Sequence, residues 1–536
     1  MWIQTLADFN PPRWLLLVAF LLSLTILRSF NNNIRHARNA RRLGTREPTL
    51  LVNRLPLGLD FLRRLLRADA EGRVPDEIVT IYEEAGAKTL RQHFLGRTQF
   101  HTIEPKNIQA MLATQFSDFA LGKNRERSFW PMLGRGIFTA NGPYWEHSRA
   151  MLRPQFTRQQ VADLELEEKH VQYLLLTIQP DHSTGWAGPL DLSVLFFRLT
   201  MDSATEFLFG QSVLSQLQVI PDHALDKSEL LGKGDWRAFG MHFDRGTHAL
   251  GRRARLAGRS WMHFSRTFPE DCREIHRYAD HFVRLALQRA NEREKSPATV
   301  EEGKRYVFLD ELTKETRDPL ELRCQLLHIL LAGRDTTAGL LGWAFFELAR
   351  HPDVYEKLRR TILETFGPYE SPRDITIERL KGCTFLQYVL NETLRLWPPV
   401  PINSRMAVRD TTLPVGGGPD GKSPVYVRKG EEIAYQVYVM HRREDIWGPD
   451  ASEWRPDRWY GRKPGWEYLP FNGGQRICLG QQFALMEAGY VMTRLVQKFD
   501  KIVPADPTEK AVHQYGVTSA PRTVLVRLHD ATAYSE

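Results

Sequence analysis

The pattern of apolar and polar positions divides the chain into a short apolar N-terminal segment and a long remainder with mainly helical spacing. In RWLLLVAFLLSLTILRSF, Trp14 to Leu27 is almost continuously apolar, and arginines follow at positions 28, 35, 38, 41, 42 and 46. A membrane span needs about 20 apolar residues, so a cleaved signal peptide, an interfacial helix and a buried core helix are alternatives. The charge follows the run and no small-residue cleavage site comes after it, which favours an uncleaved single-span anchor with the rest of the chain in the cytoplasm.

Helical spacing of apolar residues predicts most of the later elements. The predicted helices cover 158–178, 190–209, 273–294, 320–350, 383–397 and 479–499. The longest of them ends before the His351-Pro352 step, because proline disfavours helix in the residue before it. At 1.5 Å per residue, roughly 30 residues span about 45 Å, so this helix must cross a whole domain.

Alternating patterns are fewer and shorter. TLRQHFLG and TQFHTIEP, between residues 89 and 105, predict a hairpin, and TTLPVGGGPDGKSPVYV has the glycine and proline punctuation of a turn between strands. The sequence therefore predicts a mostly α fold with minor β. We expect an anchor and basic flank over 1–46 and a single large domain over 47–536.

Composition narrows the class of protein. The 536 residues are 42% hydrophobic and 25% charged, which is typical of a globular chain. The four cysteines, Cys272, Cys324, Cys383 and Cys478, lie too far apart for a CxxC zinc site or a dense disulfide framework. The formal charge of +8 is not gathered into a basic arm, which argues against a nucleic-acid partner and favours anionic lipid or an acidic protein.

The stretch FNGGQRICLG carries the most specific chemical pattern. Cys478 directly precedes the last predicted helix and follows Arg476, so the helix dipole and the guanidinium favour a thiolate. A thiolate is a nucleophile or a metal ligand, and a buried structural cysteine is the third alternative. Gly473, Gly474 and Gly480 let the backbone approach a large flat ligand. This combination favours haem with a cysteine thiolate as axial ligand.

The residues Phe471, Gly474, Arg476, Cys478 and Gly480 fit the pattern FxxGxRxCxG, and on this motif the chain resembles the cytochrome P450 family. The resemblance implies a haem b cofactor, with Cys478 as the iron ligand and the other motif residues in the haem-binding loop. It also implies the cytochrome P450 fold, with a long central helix over the haem and a small β-sheet region.

Two further residues of NETLR belong to a charged pattern. Glu392 and Arg395 are one helical turn apart and can pair on one face, which taken alone is usually a solvated pair. The resemblance implies a third member, Arg458 in WRPDRW, and a role in holding the cysteine loop in register. Trp454 and Trp459 stand where the family commonly has phenylalanine, and this departure keeps the aromatic packing.

AGRDTT lies midway along the longest predicted helix, although Gly333 and the threonine pair disfavour a helix interior. A threonine side chain can bond the carbonyl one turn back and locally open the helix. The resemblance implies that Asp335 and Thr336 are the acid and the alcohol that relay protons during oxygen activation. A polar kink without chemistry is the alternative.

WEHSR places Trp145 and Arg149 on one helical face, an arrangement that alone indicates an ordinary surface or core pair. The resemblance implies that this pair binds a haem propionate and that Arg405 and Arg476 share that role, for which a bidentate guanidinium is suited. His441 is a weaker candidate for a second axial ligand. We expect it to be structural, because the sixth position of the iron must stay open for oxygen.

Three framework segments look most like the fungal alkane and fatty-acid hydroxylase subfamily: GRGIFTANGPYWEHSRAMLRPQF, LTKETRDPLELRCQLLHILLAGRDTTA and FNGGQRICLGQQFALMEAGYVMTRL. The fold implies pocket walls from the loop before Trp145, the middle of the long helix and the strand after WPPVP. The expected lining residues are Phe129, Trp130, Ile137, Phe138, Ala332, Val400 and Ile402, with Val517 in a C-terminal turn. Such a lining suits an apolar ligand, and each aromatic residue in it is equally well explained as core.

Together these features predict a membrane-anchored haem-thiolate monooxygenase that hydroxylates an unactivated C–H bond, at the end of a fatty acid or alkane. Electrons would come from NADPH through a separate FAD- and FMN-containing cytochrome P450 reductase, and the expected location is the endoplasmic reticulum membrane. Tailoring of a polyketide-like or other secondary metabolite is the alternative substrate class. A haem isomerase or lyase and a haem sensor are alternatives of other classes, which the relay pair argues against.

Overall fold

The computed structural model describes residues 13–156, 163–220, 238–256, 258–295 and 306–532. Its helices are α1 (Arg13–Arg42), α2 (Leu59–Glu71), α3 (Val74–Ala85), α4 (Pro105–Gln109), α5 (Lys123–Leu133), α6 (Gly142–Leu152), α7 (Leu164–Leu176), α8 (Leu192–Phe209), α9 (Phe239–Arg255), α10 (Phe268–Lys295), α11 (Phe308–Glu315), α12 (Pro319–Leu348), α13 (Pro352–Phe366), α14 (Ile377–Gly382), α15 (Thr384–Leu396), α16 (Val437–Met440), α17 (Glu444–Trp447) and α18 (Gln481–Lys498). The mostly α fold with minor β is confirmed.

The strands are β1 (Thr49–Leu51), β2 (Thr89–Phe94), β3 (Arg97–Thr102), β4 (Phe119–Ala120), β5 (Trp186–Asp191), β6 (Ile402–Ala407), β7 (Thr411–Gly417), β8 (Ser423–Val427), β9 (Glu432–Gln436), β10 (Phe499–Pro504), β11 (His513–Tyr515), β12 (Ser519–Pro521) and β13 (Leu525–Asp530). Six of them form one sheet in the order β1-β2-β3-β9-β6-β4, and β10-β13-β5 form a second. The predicted hairpin is the antiparallel β2–β3 pair, with Thr89 opposite Thr102. The predicted turn connects β7 to β8, and these two strands pair as an antiparallel ribbon.

The long central helix, α12, begins where the sequence predicts. The carboxylate of Asp318 accepts a hydrogen bond from the Leu320 N–H at 2.9 Å and caps the first turn. The helix is buried almost all round, and its apolar side chains contribute to two hydrophobic clusters, one shared with α15 and α18 and the other with α9 and α10. It therefore holds the two halves of the core together.

The predicted hydrogen bond of Thr336 is present in α12. The Thr336 hydroxyl does donate to the Ala332 carbonyl, at 2.6 Å, but the helix continues without a break from Pro319 to Leu348.

The other predicted helices lie where the apolar spacing places them. Residues 190–209, 273–294, 383–397 and 479–499 correspond to α8, α10, α15 and α18 within a few residues. The predicted helix 158–178 corresponds to α7, and its first residues, 158–162, lie outside the described part of the chain.

The helix α1 is longer than the apolar run that predicts it. Its apolar side chains are exposed, and Leu16–Arg42 is long and apolar enough to cross a membrane by length and composition. Its polar end lies against the β7–β8 ribbon, where the His36 Nδ1 is 3.1 Å from the Tyr426 hydroxyl and Arg428 donates to the Asn33 Oδ1 at 2.8 Å. This end of the helix is thus held by the folded domain.

Candidate active site

The loop that carries Cys478 is shaped by its glycines. Gly474 has a φ of +65°, and a Cβ there would lie 1.9 Å from the Leu112 carbonyl oxygen, so only glycine fits. The Cys478 N–H donates to the Phe471 carbonyl at 3.0 Å and closes the loop on itself. The loop therefore presents Cys478 immediately before α18 in a fixed backbone.

The Cys478 side chain lines an internal cleft. Protein surrounds it, yet its surface is accessible, which is the combination expected of a group that faces an internal space. On α12, which packs against α18, Ala332, Gly333 and Thr336 are also partly accessible among buried neighbours. A Cβ on Gly333 would meet no atom within 4 Å, so this face of the helix opens on free space.

Burial raises the pKa of the Cys478 thiol above its ordinary value, and the Gly480 N–H and the charge of Arg149 oppose this only in part. The prediction of a low thiol pKa is therefore wrong for the free thiol, since desolvation outweighs the Gly480 N–H and the charge of Arg149. A coordinated metal ion deprotonates a thiol outright, so a thiolate here requires a metal partner.

Four guanidinium groups gather beside this loop: Arg125, Arg149, Arg405 and Arg476. Burial and the charges of the other three lower the pKa of Arg476 to about 9, and burial and Arg405 lower that of Arg125 to about 10. None of the four pairs with a carboxylate within the described residues, and the buried Arg405 Nε has no hydrogen-bond partner there. Buried cations without a counter-ion are costly, so the cluster fits an anionic ligand.

The tryptophan and arginine of WEHSR take part in this cluster. The Arg476 guanidinium lies 4.2 Å from the ring centroid of Trp145 and donates to the Ala140 carbonyl at 3.1 Å. Arg149 donates to the Ile477 carbonyl at 3.2 Å. These contacts join the cysteine loop to α6. The thiol of Cys478, an accessible cleft and four guanidinium groups without a carboxylate partner among the described residues therefore lie close together. This is the donor set that haem with two propionates requires.

The predicted charged pair on α15 is fully buried and has more partners than predicted. The Glu392 carboxylate accepts from Arg395 at 2.8 and 2.9 Å, from Arg458 at 3.2 Å and from the indole N–H of Trp459 at 3.0 Å. It also accepts from the Arg455 N–H at 2.9 Å. Trp459 thus contributes a hydrogen bond that phenylalanine cannot make.

His441 connects this network to the cysteine loop. Its Nδ1 donates to the Arg395 carbonyl at 3.0 Å, and its Nε2 accepts from the Leu469 N–H at 2.9 Å, two residues before Phe471. Burial lowers the pKa of His441 to about 3, so the ring is neutral. Both nitrogens are occupied within the protein, in keeping with the structural role expected of this histidine.

Asp335 of α12 is buried beside an arginine. The Arg334 Nη1 donates to the Asp335 carboxylate at 2.9 Å and also pairs with Asp244 of α9. Burial outweighs the charge of Arg334 and raises the pKa of Asp335 to about 6. A carboxyl group with this pKa exchanges protons near neutral pH, as a relay acid must.

The residues expected to line a pocket occupy different surroundings. Phe129 lies in the core beside α9 and α10, and Ile137 packs against the same cluster. The ring of Phe138 stacks on that of His328 of α12, with the two ring centroids 5.4 Å apart. Ile402 packs beside Tyr515. Of the remaining three, Trp130 is 51% exposed, while Ala332 and Val400 are partly exposed.

Sequence reasoning missed Arg125 and the bridging role of His441. Arg125 lies within KNRER, whose composition is typical of a solvated helix face. No local pattern distinguishes it, because its role depends on contact with Asn403 and on the nearby charge of Arg405, about 280 residues later in the chain.

Comparison with known proteins gives consistent results. A family model described as Cytochrome P450 matches residues 64–527. Cytochrome P450 monooxygenase g430 of Fusarium sp is 53% identical over 483 residues, which cover 90% of this chain and 84% of that protein. Cytochrome P450 monooxygenase alt2 of Alternaria solani is 44% identical over 501 residues, or 91% of this chain and 92% of that protein. Cytochrome P450 52A13 of Debaryomyces hansenii is 47% identical over 463 residues, or 85% and 86%.

Proposed function

We propose that this chain hydroxylates the terminal C–H bonds of a fatty acid or alkane. The chain belongs to the cytochrome P450 family of haem b monooxygenases. The family and the likeness to the fungal alkane and fatty-acid hydroxylases, both predicted from sequence motifs, are confirmed. The observation that carries the proposed substrate class is the 47% identity to Cytochrome P450 52A13 over 85% of this chain. The greater identity to g430, at 53%, supports a second candidate, the tailoring of a polyketide-like or other secondary metabolite.

In this proposal Cys478 binds the haem iron, and the residues around it hold the porphyrin. Phe471, Gly474 and Gly480 shape the haem-binding loop. The propionates are held by Trp145 and by the guanidinium groups of Arg149, Arg405 and Arg476, to which the structure adds Arg125. When bound, the haem supplies the oxygen chemistry, for which a thiolate ligand donates electron density that favours O–O cleavage.

The chain's own residues supply protons. Asp335 takes up a proton readily, because burial raises its pKa to about 6, and its partner Arg334 links it to Asp244 on α9. The Thr336 hydroxyl lies on the open face of α12 with its hydrogen directed at the Ala332 carbonyl. It is therefore positioned to accept a hydrogen bond in the cleft while it donates to the helix. We propose these two residues as the relay.

We propose that residues 1–46 anchor a catalytic domain, 47–536, to the cytoplasmic face of the endoplasmic reticulum. Apart from α1, two neighbouring segments expose apolar side chains. The first segment contains Leu57, which lies before α2. The Leu57 carbonyl accepts a hydrogen bond from the Leu95 N–H, and the Leu95 carbonyl accepts one from Arg259, which brings the second segment beside the first. In the loop after α9, Trp261 and Phe264 are 78% and 82% exposed. This surface supports contact with the same membrane that α1 would enter.

Cytochrome P450 enzymes draw electrons from a redox partner and act on apolar substrates. For this chain we propose an NADPH-dependent cytochrome P450 reductase as the partner. The test is reconstitution of the purified protein with such a reductase, NADPH and laurate or dodecane, followed by product identification. The proposal predicts substrate-dependent oxygen uptake and a terminal alcohol. Uptake with polyketides but with neither of these chains would instead support the second candidate.

A further inference from the structure

One face of the polar end of α1 is held by the folded domain. Arg428 donates to the Asn33 Oδ1 at 2.8 Å, and the His36 Nδ1 lies 3.3 Å from the Asp410 carboxylate. The same carboxylate accepts a hydrogen bond from the Tyr426 hydroxyl at 2.8 Å. These contacts fix which side of the helix faces the domain.

The opposite face of α1 is basic. With about 3.6 residues per turn, the arginines at positions 28, 35, 38 and 42 fall within one quarter of the helix circumference, on the side away from Asn33 and His36. All four are exposed, and within the described residues none of them pairs with a carboxylate. This face therefore has free donors and no counter-ion.

Three of these arginines border a shallow groove on the helix. The groove has a volume of about 390 Å³ and is lined by Asn31, Ile34, Arg35, Arg38, Asn39 and Arg42. The asparagine amides add neutral donors beside the guanidinium groups. Guanidinium groups bind phosphate oxygens through paired N–H···O bonds, so the lining suits an anionic head with several oxygen atoms.

The position of the groove along α1 corresponds to the level of lipid headgroups. The apolar run from Trp14 to Leu27 covers about 21 Å, which is less than the roughly 30 Å of a hydrocarbon core. With this run centred in the bilayer, the headgroup layer extends from about 15 to about 22 Å from the centre. The Cα atoms of Arg35 and Arg38 then lie at about 22 and 26 Å. Helical side chains point back towards the N-terminus, so both guanidinium groups reach the headgroup layer.

We propose that Arg35 and Arg38, with Asn31 and Arg42, bind the headgroup of an anionic phospholipid in the cytoplasmic leaflet. This inference rests on the proposed membrane anchor and adds to it a lipid of defined charge and position. Because the other face of the helix is held by the β7–β8 ribbon, the lipid lies on the side away from the catalytic domain. It restrains the angle at which the helix leaves the membrane.

The test is native mass spectrometry of the full-length holoprotein in detergent micelles with equal amounts of phosphatidylcholine and phosphatidylserine. Both lipids contain a phosphate, and only phosphatidylserine has a net negative charge. The measured quantity is the ratio of protein with one bound phosphatidylserine to protein with one bound phosphatidylcholine. The test variant is Arg35→Gln, Arg38→Gln. The control is Arg41→Gln, Arg46→Gln, which removes the same charge from exposed positions nearby but outside this face.

The inference predicts that the parent prefers phosphatidylserine by about fivefold, the usual effect of one basic residue at an anionic membrane surface. The test variant should bind the two lipids within about twofold of each other, and the control should keep the preference of the parent. Arg35→Lys, Arg38→Lys should keep part of it, since lysine has the charge without the paired donors. A parent without the preference, or a control that loses as much as the test variant, would overturn the headgroup site.

A second measurement separates the headgroup site from the anchor itself. Parent and test variant are reconstituted into phosphatidylcholine vesicles and washed with alkaline carbonate, which removes proteins that do not cross the bilayer. Both should remain with the vesicles, because the substitutions leave the apolar run intact. Parent protein that washes off would reject the proposed anchor. Parent protein that stays in the vesicles but shows no preference between the two lipids would reject only the headgroup site.

Discussion

At the scale of single residues, the site depends on positions where one side chain, or none, is tolerated. Gly474 combines a left-handed backbone with a close approach of Leu112. A methyl group there would have to displace the Leu112 carbonyl. This carbonyl belongs to the backbone, so it cannot move aside as easily as the end of a flexible side chain. The loop that places Cys478 would move with it.

Gly474→Ala is therefore expected to lose haem rather than to change substrate preference. The purified variant should show a haem-to-protein ratio well below that of the parent by absorbance and pyridine haemochrome assay. Gly461→Ala is the control, because that glycine also has a positive φ, of +67°, but a Cβ there would meet nothing within 4 Å. Full haem content in Gly474→Ala would contradict the account of the loop.

Thr336→Ala should uncouple electron use from hydroxylation. NADPH consumption should continue while product falls by roughly a hundredfold, the lower end of the usual scale for a lost proton-transfer group, and hydrogen peroxide should rise to match. Thr336→Ser, which keeps the hydroxyl, should restore most of the coupling. Unchanged coupling in the alanine variant would remove Thr336 from the relay. The assay is parallel measurement of NADPH, peroxide and alcohol.

The site residues that motifs identify are those whose roles repeat a local pattern, such as Cys478 and Glu392. Arg125 was not predictable, since its importance comes from distant charges brought near by folding. The pKa of Cys478 was predicted in the wrong direction because sequence shows the helix and the arginine but not the depth of burial. Local chemistry is visible in sequence, and desolvation is not.

At the scale of elements, a buried network fixes the cysteine loop from behind. Glu392 of α15 holds two arginines, and His441 passes the connection on from Arg395 to Leu469. A buried charge network of this kind fixes geometry more than it adds stability, and removal of one member leaves charges without partners.

Glu392→Ala should accordingly destabilise the protein by about 3–5 kcal/mol, because Arg395 and Arg458 would keep their charges in a buried site. Urea unfolding followed by tryptophan fluorescence gives the free energy of unfolding. Glu274→Ala, which breaks the exposed pair with Arg277, is the control and should have little effect. If the two variants were equally stable, the network would have no structural importance.

The predicted helices and the two predicted strand pairs are present, but α9, α13 and the order of the strands in the sheet were not predicted. The apolar spacing placed α12 within two residues of each of its ends. A capping aspartate marks the beginning of the helix in the sequence, and a proline after the helix marks its end. The order β1-β2-β3-β9-β6-β4 was not predictable, because it joins strands more than 300 residues apart. Strand pairing over such distances leaves no local pattern.

At the scale of the whole molecule, buried neutral histidines link stability to pH. Burial lowers the pKa of His101, His328 and His513 to about 4 and that of His441 to about 3. In the unfolded chain these rings titrate near 6.5. Below that pH the unfolded state binds more protons, so stability is complete above about 6.5 and falls as the pH decreases towards 4.

We therefore expect the melting temperature to fall between pH 7 and pH 5, with each histidine contributing up to about 1.4 kcal/mol per pH unit. Asp335 and Glu487, with pKa values raised by burial to about 6 and 7, act in the opposite sense. Burial also raises the pKa of Asp202, Glu347 and Glu431. Five carboxyl groups therefore oppose seven histidines within the described residues outside α1, since burial lowers the pKa of His248, His263 and His276 as well. Scanning calorimetry at several pH values tests this, and a melting temperature that is constant or rises on acidification would contradict it.

The central claim is that the Cys478 thiolate binds haem iron in this protein. The most direct measurement is the difference spectrum of the reduced protein with carbon monoxide, recorded for the parent and for Cys478→Ser. The parent should show the red-shifted absorption band from which the cytochrome P450 family takes its name, and the variant should lack it. The same band in Cys478→Ser would show that another group binds the iron and would contradict the account.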